Sequence, residues 1–157
     1  MTTTDVPAGI NYENVSRFFA EHVAGGEGPL TFRLIGDGRS NLTYLVSNGR
    51  DQWVLRRPPL GHVLPTAHDM VREFKVLTGM QKAGFPAPKP IALCEDTSVN
   101  EYPFYVMDYR EGVIIVSELP AGYAETPGER RRMSLALVDT LVELHAIDYE
   151  AVGLGEF

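Results

Sequence analysis

The chain has 157 residues, 44% of them hydrophobic and 22% charged, ordinary values for a globular protein with one sizeable core. Fourteen Lys and Arg against 21 Asp and Glu give a net charge of -7, which argues against a nonspecific nucleic-acid binder. The single cysteine, Cys94, rules out an internal disulfide, and no apolar run approaches the ~18 residues of a membrane span.

The first ten residues are polar and lack the charged start and apolar centre of a signal peptide, so they read as a frayed tail on a cytoplasmic protein. Val15, Phe18, Phe19, His22 and Val23 then recur at helical spacing, with Asn11 or Asn14 available as the cap. Gly25-Gly26 and Gly28-Pro29 end that helix. Leu30 to Ile35 alternates as a strand. A second strand runs from Asn41 to Ser47 and a third from Gln52 to Arg57. Asn48-Gly49 between them predicts a tight hairpin with positive φ tolerated at both positions. Pro58-Pro59 stop the third strand, leaving an antiparallel meander.

A loop over 60–66 precedes a helix that ends near Ala83, capped by Thr66 or Asp69, with Gly84 just past its end. Pro86, Pro88 and Pro90 force an extended lead-in to a fourth strand, Ile91 to Glu95. Residues 96–100 are turn material, and Tyr102 to Asp108 is a fifth strand. Thr126-Pro127-Gly128-Glu129 is a capping box with Pro at the first helical position. The helix it opens is apolar around most of its circumference as far as Ile147. Such a helix is normally buried on several sides, and the other elements offer little to surround it.

The sequence Gly36-Asp37-Gly38-Arg39-Ser40-Asn41 joins two antiparallel strands. A dinucleotide-binding loop would instead lead from a strand into a helix. Between antiparallel strands, such a loop can fold over phosphates through backbone N–H groups, although a plain turn is the commoner use. Arg56 or Arg57 at the end of the third strand, and Glu73 on the following helix, each read, alone, as solvated charges. Cys94 reads as a small core residue, and His145 as a packing or surface histidine. No cluster has metal-ligand spacing.

Together these features are more specific. Ile35 to Val46, Trp53 to Pro59, Val71 to Leu77, Gly84 to Pro90, Phe104 to Gly112 and Leu144 to Asp148 occur in an order that resembles the N-terminal lobe of the aminoglycoside phosphotransferase and choline-kinase-like family. These proteins are relatives of the protein kinases. The resemblance covers roughly residues 12–155. It implies an α+β fold: a five-stranded antiparallel sheet with a packed helix, an added N-terminal helix, and a C-terminal helix that begins a second lobe. The expected division is a tail at 1–10, a nucleotide-binding lobe at 11–110, and a linker and first C-lobe helix at 111–157.

The resemblance also implies roles. Gly36, Gly38, Ser40 and Asn41 would cover the phosphates of ATP. Thr43 and Val54 would face the adenine, and Met107 would close the back of its pocket. The carbonyl of Asp108 and the N–H of Arg110 would read adenine, their side chains mattering less. Arg56 stands where the family has a phosphate-contacting lysine, trading a compact ammonium for a planar fork. Glu73 would pair with it.

Phosphoryl transfer of this type also needs a catalytic aspartate, an asparagine and a metal-binding aspartate. No His-x-Asp occurs among the 157 residues. The catalytic base and the ligands of Mg²⁺ are therefore expected beyond Phe157. The expected role is the ATP-binding portion of a kinase acting on a small hydroxyl acceptor held mainly by a C-lobe, the segment alone being inactive and binding Mg-ATP weakly. The alternative is a noncatalytic binding or regulatory module of the same shape. A nucleotide-independent interaction domain is a third reading.

Overall fold

The computed structural model describes residues 6–35, 40–61, 68–113, 115 and 117–156. Helix α1 (Tyr12–His22) is followed by strands β1 (Thr31–Ile35), β2 (Leu42–Ser47) and β3 (Gln52–Arg57). Helix α2 (Met70–Lys82), strand β4 (Pro90–Cys94), a short helix α3 (Thr97–Asn100), strand β5 (Phe104–Asp108) and helix α4 (Pro127–His145) complete the order. The five strands form one antiparallel sheet in the order β1-β2-β3-β5-β4. The α+β expectation holds.

Strand alternation gives the sheet two working faces. Tyr44, Val46, Trp53, Leu55, Phe104 and Val106 point to one and form the core with Val15, Phe18 and Phe19 of α1. Edge-to-face pairs fix that packing: Phe18 against Phe104 at 5.0 Å and Phe19 against Trp53 at 5.7 Å. Asn11 caps α1 by accepting from the N–H of Asn14. Cys94 is buried in the same core, as a small apolar residue. Helix α2 crosses β4 and β5 on the opposite face. Its cap is Asp69, which accepts from the N–H of Arg72. The other proposed cap, Thr66, lies outside the described residues.

Four details differ from expectation. The tail is not frayed throughout: Ile10 is buried, the carbonyl of Ala8 accepts from the Tyr44 hydroxyl at 2.7 Å, and that of Gly9 accepts from Arg57. The hairpin between β2 and β3 is a four-residue loop, because Ser47 pairs with Gln52. Only Gly49 has positive φ there, while Asn48 Oδ1 accepts from the N–H groups of Arg50 and Asp51, an Asx turn. Residues 97–100 form a helical turn, because the Asp96 carboxylate caps it by accepting from the N–H of Ser98.

The fourth difference is Arg57. At the strand end it is not solvated but 1% exposed, donating to the carbonyls of Gly9 and Pro58 and lying over the Tyr102 ring.

The capping box of α4 is present in full: Thr126 Oγ1 accepts from the N–H of Glu129, and the Glu129 carboxylate accepts from the N–H of Thr126. The helix has no buried residue, and Leu137 and Val142 are 72% and 61% exposed. Among the described residues nothing encloses it, so its apolar circumference faces solvent. The segment after it turns back, and Leu154 packs against Gly79 of α2.

Candidate functional site

The face of the sheet turned away from α1 carries the polar residues of interest. Register places Thr43 opposite Arg56 on β2 and β3, Val54 opposite Met107, and Arg56 opposite Tyr105 on β5. Directly opposed residues project to the same side. Glu73, one turn into α2, reaches down to this group.

The carboxylate of Glu73 is the hub. Its Oε2 accepts from Arg56 Nε at 2.8 Å and from the Tyr105 hydroxyl at 3.0 Å. Its Oε1 accepts from Asn41 Nδ2 at 2.6 Å. A carboxylate only accepts, which fixes the orientation of the Asn41 amide and leaves Asn41 Oδ1 as an acceptor. His68 Nδ1 lies 2.6 Å from that oxygen and must therefore carry a proton. Arg56 also donates from Nη1 to Thr43 Oγ1 at 3.0 Å. Glu73 and Thr43 thus hold the guanidinium at Nε and Nη1. The pair is about two-thirds shielded, Arg56 and Glu73 being 31% and 32% exposed, so it is less screened by solvent than a surface pair. Burial, reinforced by the adjacent Glu73 charge, pushes the Tyr105 hydroxyl well above the ordinary tyrosine range and keeps it a donor.

Beside this network lies a cavity of about 450 Å³. Arg56, Glu73, Tyr105 and Met107 form one wall, and Val76 and Leu77 of α2 another. A mostly apolar hollow with a few convergent polar groups is the usual form of a small-molecule site. A larger hollow, about 540 Å³, lies on the far face of the sheet between α1 and β4. None of the residues expected to bind nucleotide lines it, and the chemistry favours the smaller one.

The structure thus brings Asn41, Thr43, Arg56, Glu73 and Met107 together. Asn41 engages Glu73 and His68, and the hydroxyl of Thr43 is taken by Arg56. Val54 shares the face but is 5% exposed, already covered. Gly36 and Gly38 lie outside the described residues, and Ser40 is exposed at their edge. Asp108 and Arg110 are joined by a 2.7 Å ion pair at the exit of β5. The Asp108 side chain is not idle: its Oδ1 accepts from the N–H of Lys89 at 2.6 Å and ties β5 to the lead-in of β4.

Two participants were missed. Tyr105 stands two residues before Met107, so period-2 alternation alone puts it on the same face. His68 carries no pattern that marks it. Among the described residues no group of three His, Cys, Asp or Glu is placed to hold a metal ion.

Comparison with known proteins places this arrangement. The sequence pattern of a family described as the phosphotransferase enzyme family matches residues 31–157. Acyl-CoA dehydrogenase family member 11 of Homo sapiens is 36% identical over 146 residues, covering 90% of this chain and 18% of that protein. The Gallus gallus protein of the same name is 39% identical over 128 residues, covering 81% of this chain and 16% of its own length. The chain therefore spans less than a fifth of these curated relatives. Among solved structures, a candidate aminoglycoside phosphotransferase from Ralstonia eutropha matches with a TM-score of 0.74 and 29% identity, over 92% of this chain and 41% of that one. The sheet with α2 laid across it is the kinase-like N-lobe fold of that neighbour.

Proposed function

Because the chain belongs to the phosphotransferase enzyme family, we propose that it is the ATP-binding portion of a kinase that transfers the γ-phosphoryl group to a hydroxyl of a small molecule. The observation that carries this reading is the Arg56–Glu73 pair, set at 2.8 Å and lining the cavity, with Arg56 also held by Thr43. Arg is suited to this task, since its planar fork can be held by two protein acceptors and still offer a donor to phosphate oxygen.

The chain's own residues have distinct tasks in this reading. Glu73 and Thr43 orient Arg56. Arg56 Nη2 holds a phosphate oxygen. Met107 and the apolar wall of α2 limit the depth of the purine site, and the backbone at Asp108 and Arg110 reads the purine edge. Gly36, Gly38 and Ser40 supply backbone donors to the phosphates. ATP, as its Mg²⁺ complex, supplies the phosphoryl group. The carboxylates for that metal and the base that takes the acceptor's proton are assigned to residues outside this segment. With 14 basic residues in the chain, phosphate recognition rests on few placed groups.

The acceptor is a separate question. The relatives carry acyl-CoA dehydrogenase names, so hydroxylated acyl-CoA compounds join aminoglycosides as acceptors to be tried. A cytoplasmic setting, without nucleic acid or membrane as partner, is part of the same proposal and rests on the acidic composition. Among the described residues no helix is long and apolar enough to cross a membrane. The test is ADP release by the intact protein, with Mg-ATP and a panel containing hydroxyacyl-CoA thioesters and aminoglycosides. Acceptor-dependent ADP release that Arg56→Ala abolishes supports the enzyme. Tight Mg-ATP binding without release for any acceptor supports a second reading, a noncatalytic module. The Arg at position 56 is the observation in its favour.

A further inference from the structure

We propose that Tyr105 is a positioning residue for the nucleotide site. Its hydroxyl fixes the Glu73 carboxylate, so that Arg56 is held by its Nε and keeps its Nη2 edge toward the ligand. The proposal rests on the phosphotransferase reading for its functional consequence, and on geometry alone for the positioning itself.

Tyr105 is 3% exposed. A buried hydroxyl costs free energy unless it is bonded, so phenylalanine would suit an ordinary core position better. The hydroxyl has one partner among the described residues, Glu73 Oε2, the same oxygen that receives Arg56 Nε. The ring is held edge-to-face by Phe74, the residue after Glu73, with centroids 6.1 Å apart. Residue 105 is also opposite Arg56 in the β3–β5 register. Tyr105 thus touches the acid through its hydroxyl, the acid's helix through its ring, and the base through strand pairing.

The consequence concerns geometry. Arg and a carboxylate left to themselves favour a two-point, fork-to-fork contact. Here Oε1 is occupied by Asn41 and Oε2 is shared with Tyr105, so Glu73 meets Arg56 at Nε. Removing the tyrosine hydroxyl frees one side of that carboxylate to move.

The test is Tyr105→Phe, which deletes one oxygen and keeps the packing. The Arg56 Nε–H is followed by NMR hydrogen exchange in the 157-residue chain, and Mg-ATP affinity by calorimetry in the intact protein. Exchange at Arg56 about ten-fold faster in Y105F is expected, with about ten-fold weaker Mg-ATP binding and an unchanged melting temperature. In an E73Q background, Y105F should add no further loss of affinity, since the residue it acts through is already altered. Arg56 exchange unchanged by Y105F overturns the positioning role. So does an equal loss of affinity with and without Glu73. Wild-type protein that binds no Mg-ATP defeats the phosphotransferase reading, while the exchange measurement still decides whether Tyr105 positions Glu73.

Discussion

Arg56 and Arg57 are consecutive on β3 and serve opposite faces of the sheet. Arg56 pairs with Glu73 beside the cleft, while Arg57 is buried on the α1 side, donating to the carbonyls of Gly9 and Pro58 and stacked over Tyr102. The two charges therefore have separable roles. Arg57→Met should cost about 3 kcal/mol of stability, from lost charged hydrogen bonds and the cation–π contact. Arg56→Met should cost under about 1 kcal/mol, as expected for a partly exposed pair, yet weaken Mg-ATP binding about ten-fold. Urea denaturation and calorimetry on both variants measure the split. Equal stability losses would remove the distinction.

The apolar exterior of α4 predicts self-association of the chain. Leu137 and Val142 are five residues apart and both largely exposed. Sedimentation should show mass rising with concentration, and replacing both residues by lysine should suppress the rise. A strict monomer at high concentration would contradict this.

With none of its residues buried among the described ones, α4 depends on its cap. The backbone N–H of Thr126, and then its hydroxyl, hold the Glu129 carboxyl below the usual glutamate range. A depressed folded pKa gives stability that is complete above the unfolded value, about 4.3, and is lost as pH falls through the folded value. Helicity followed by circular dichroism should therefore decline in acid. Thr126→Ala should lower it at neutral pH as well, by about 1 kcal/mol of helix stability. Unchanged ellipticity in that variant would show that the box is dispensable.

Cys94 gives a probe of the α1 interface. Burial pushes its thiol pKa up, so the reactive thiolate is scarcer in the folded chain than in the unfolded one. Its stability contribution is full below the unfolded thiol value, about 8.5, and is lost as pH rises through the folded one. Alkylation at pH 8 should be slow in native protein and fast in urea. Fast native alkylation would mean that α1 does not cover β4.

Much of the fold was legible because its signals are local. Alternation marked β3 at Gln52 and Arg57, and Thr126 with Glu129 marked the start of α4. The hairpin was misread because an Asn48 side chain, not a second positive φ, closes the loop. The tail was misread because what holds it, Tyr44 and Arg57, lies over 30 residues away in sequence. In the site, Arg56 and Glu73 could be paired from the family's order of elements. The sharing of Glu73 by Asn41 and Tyr105, and the link from Asn41 to His68, depend on how β2, β5 and α2 meet in space.

The most direct test of the nucleotide site is an amide NMR titration of the chain with Mg-ATP. Nucleotide binding at the Arg56–Glu73 cleft should move the amides of Ser40, Asn41, Thr43, Arg56, Met107 and Arg110, and Arg56→Ala should push the midpoint of those shifts to about ten-fold higher Mg-ATP. Shifts confined to α1 and the groove it forms with β4, or a titration midpoint unchanged in the Arg56 variant, would contradict it.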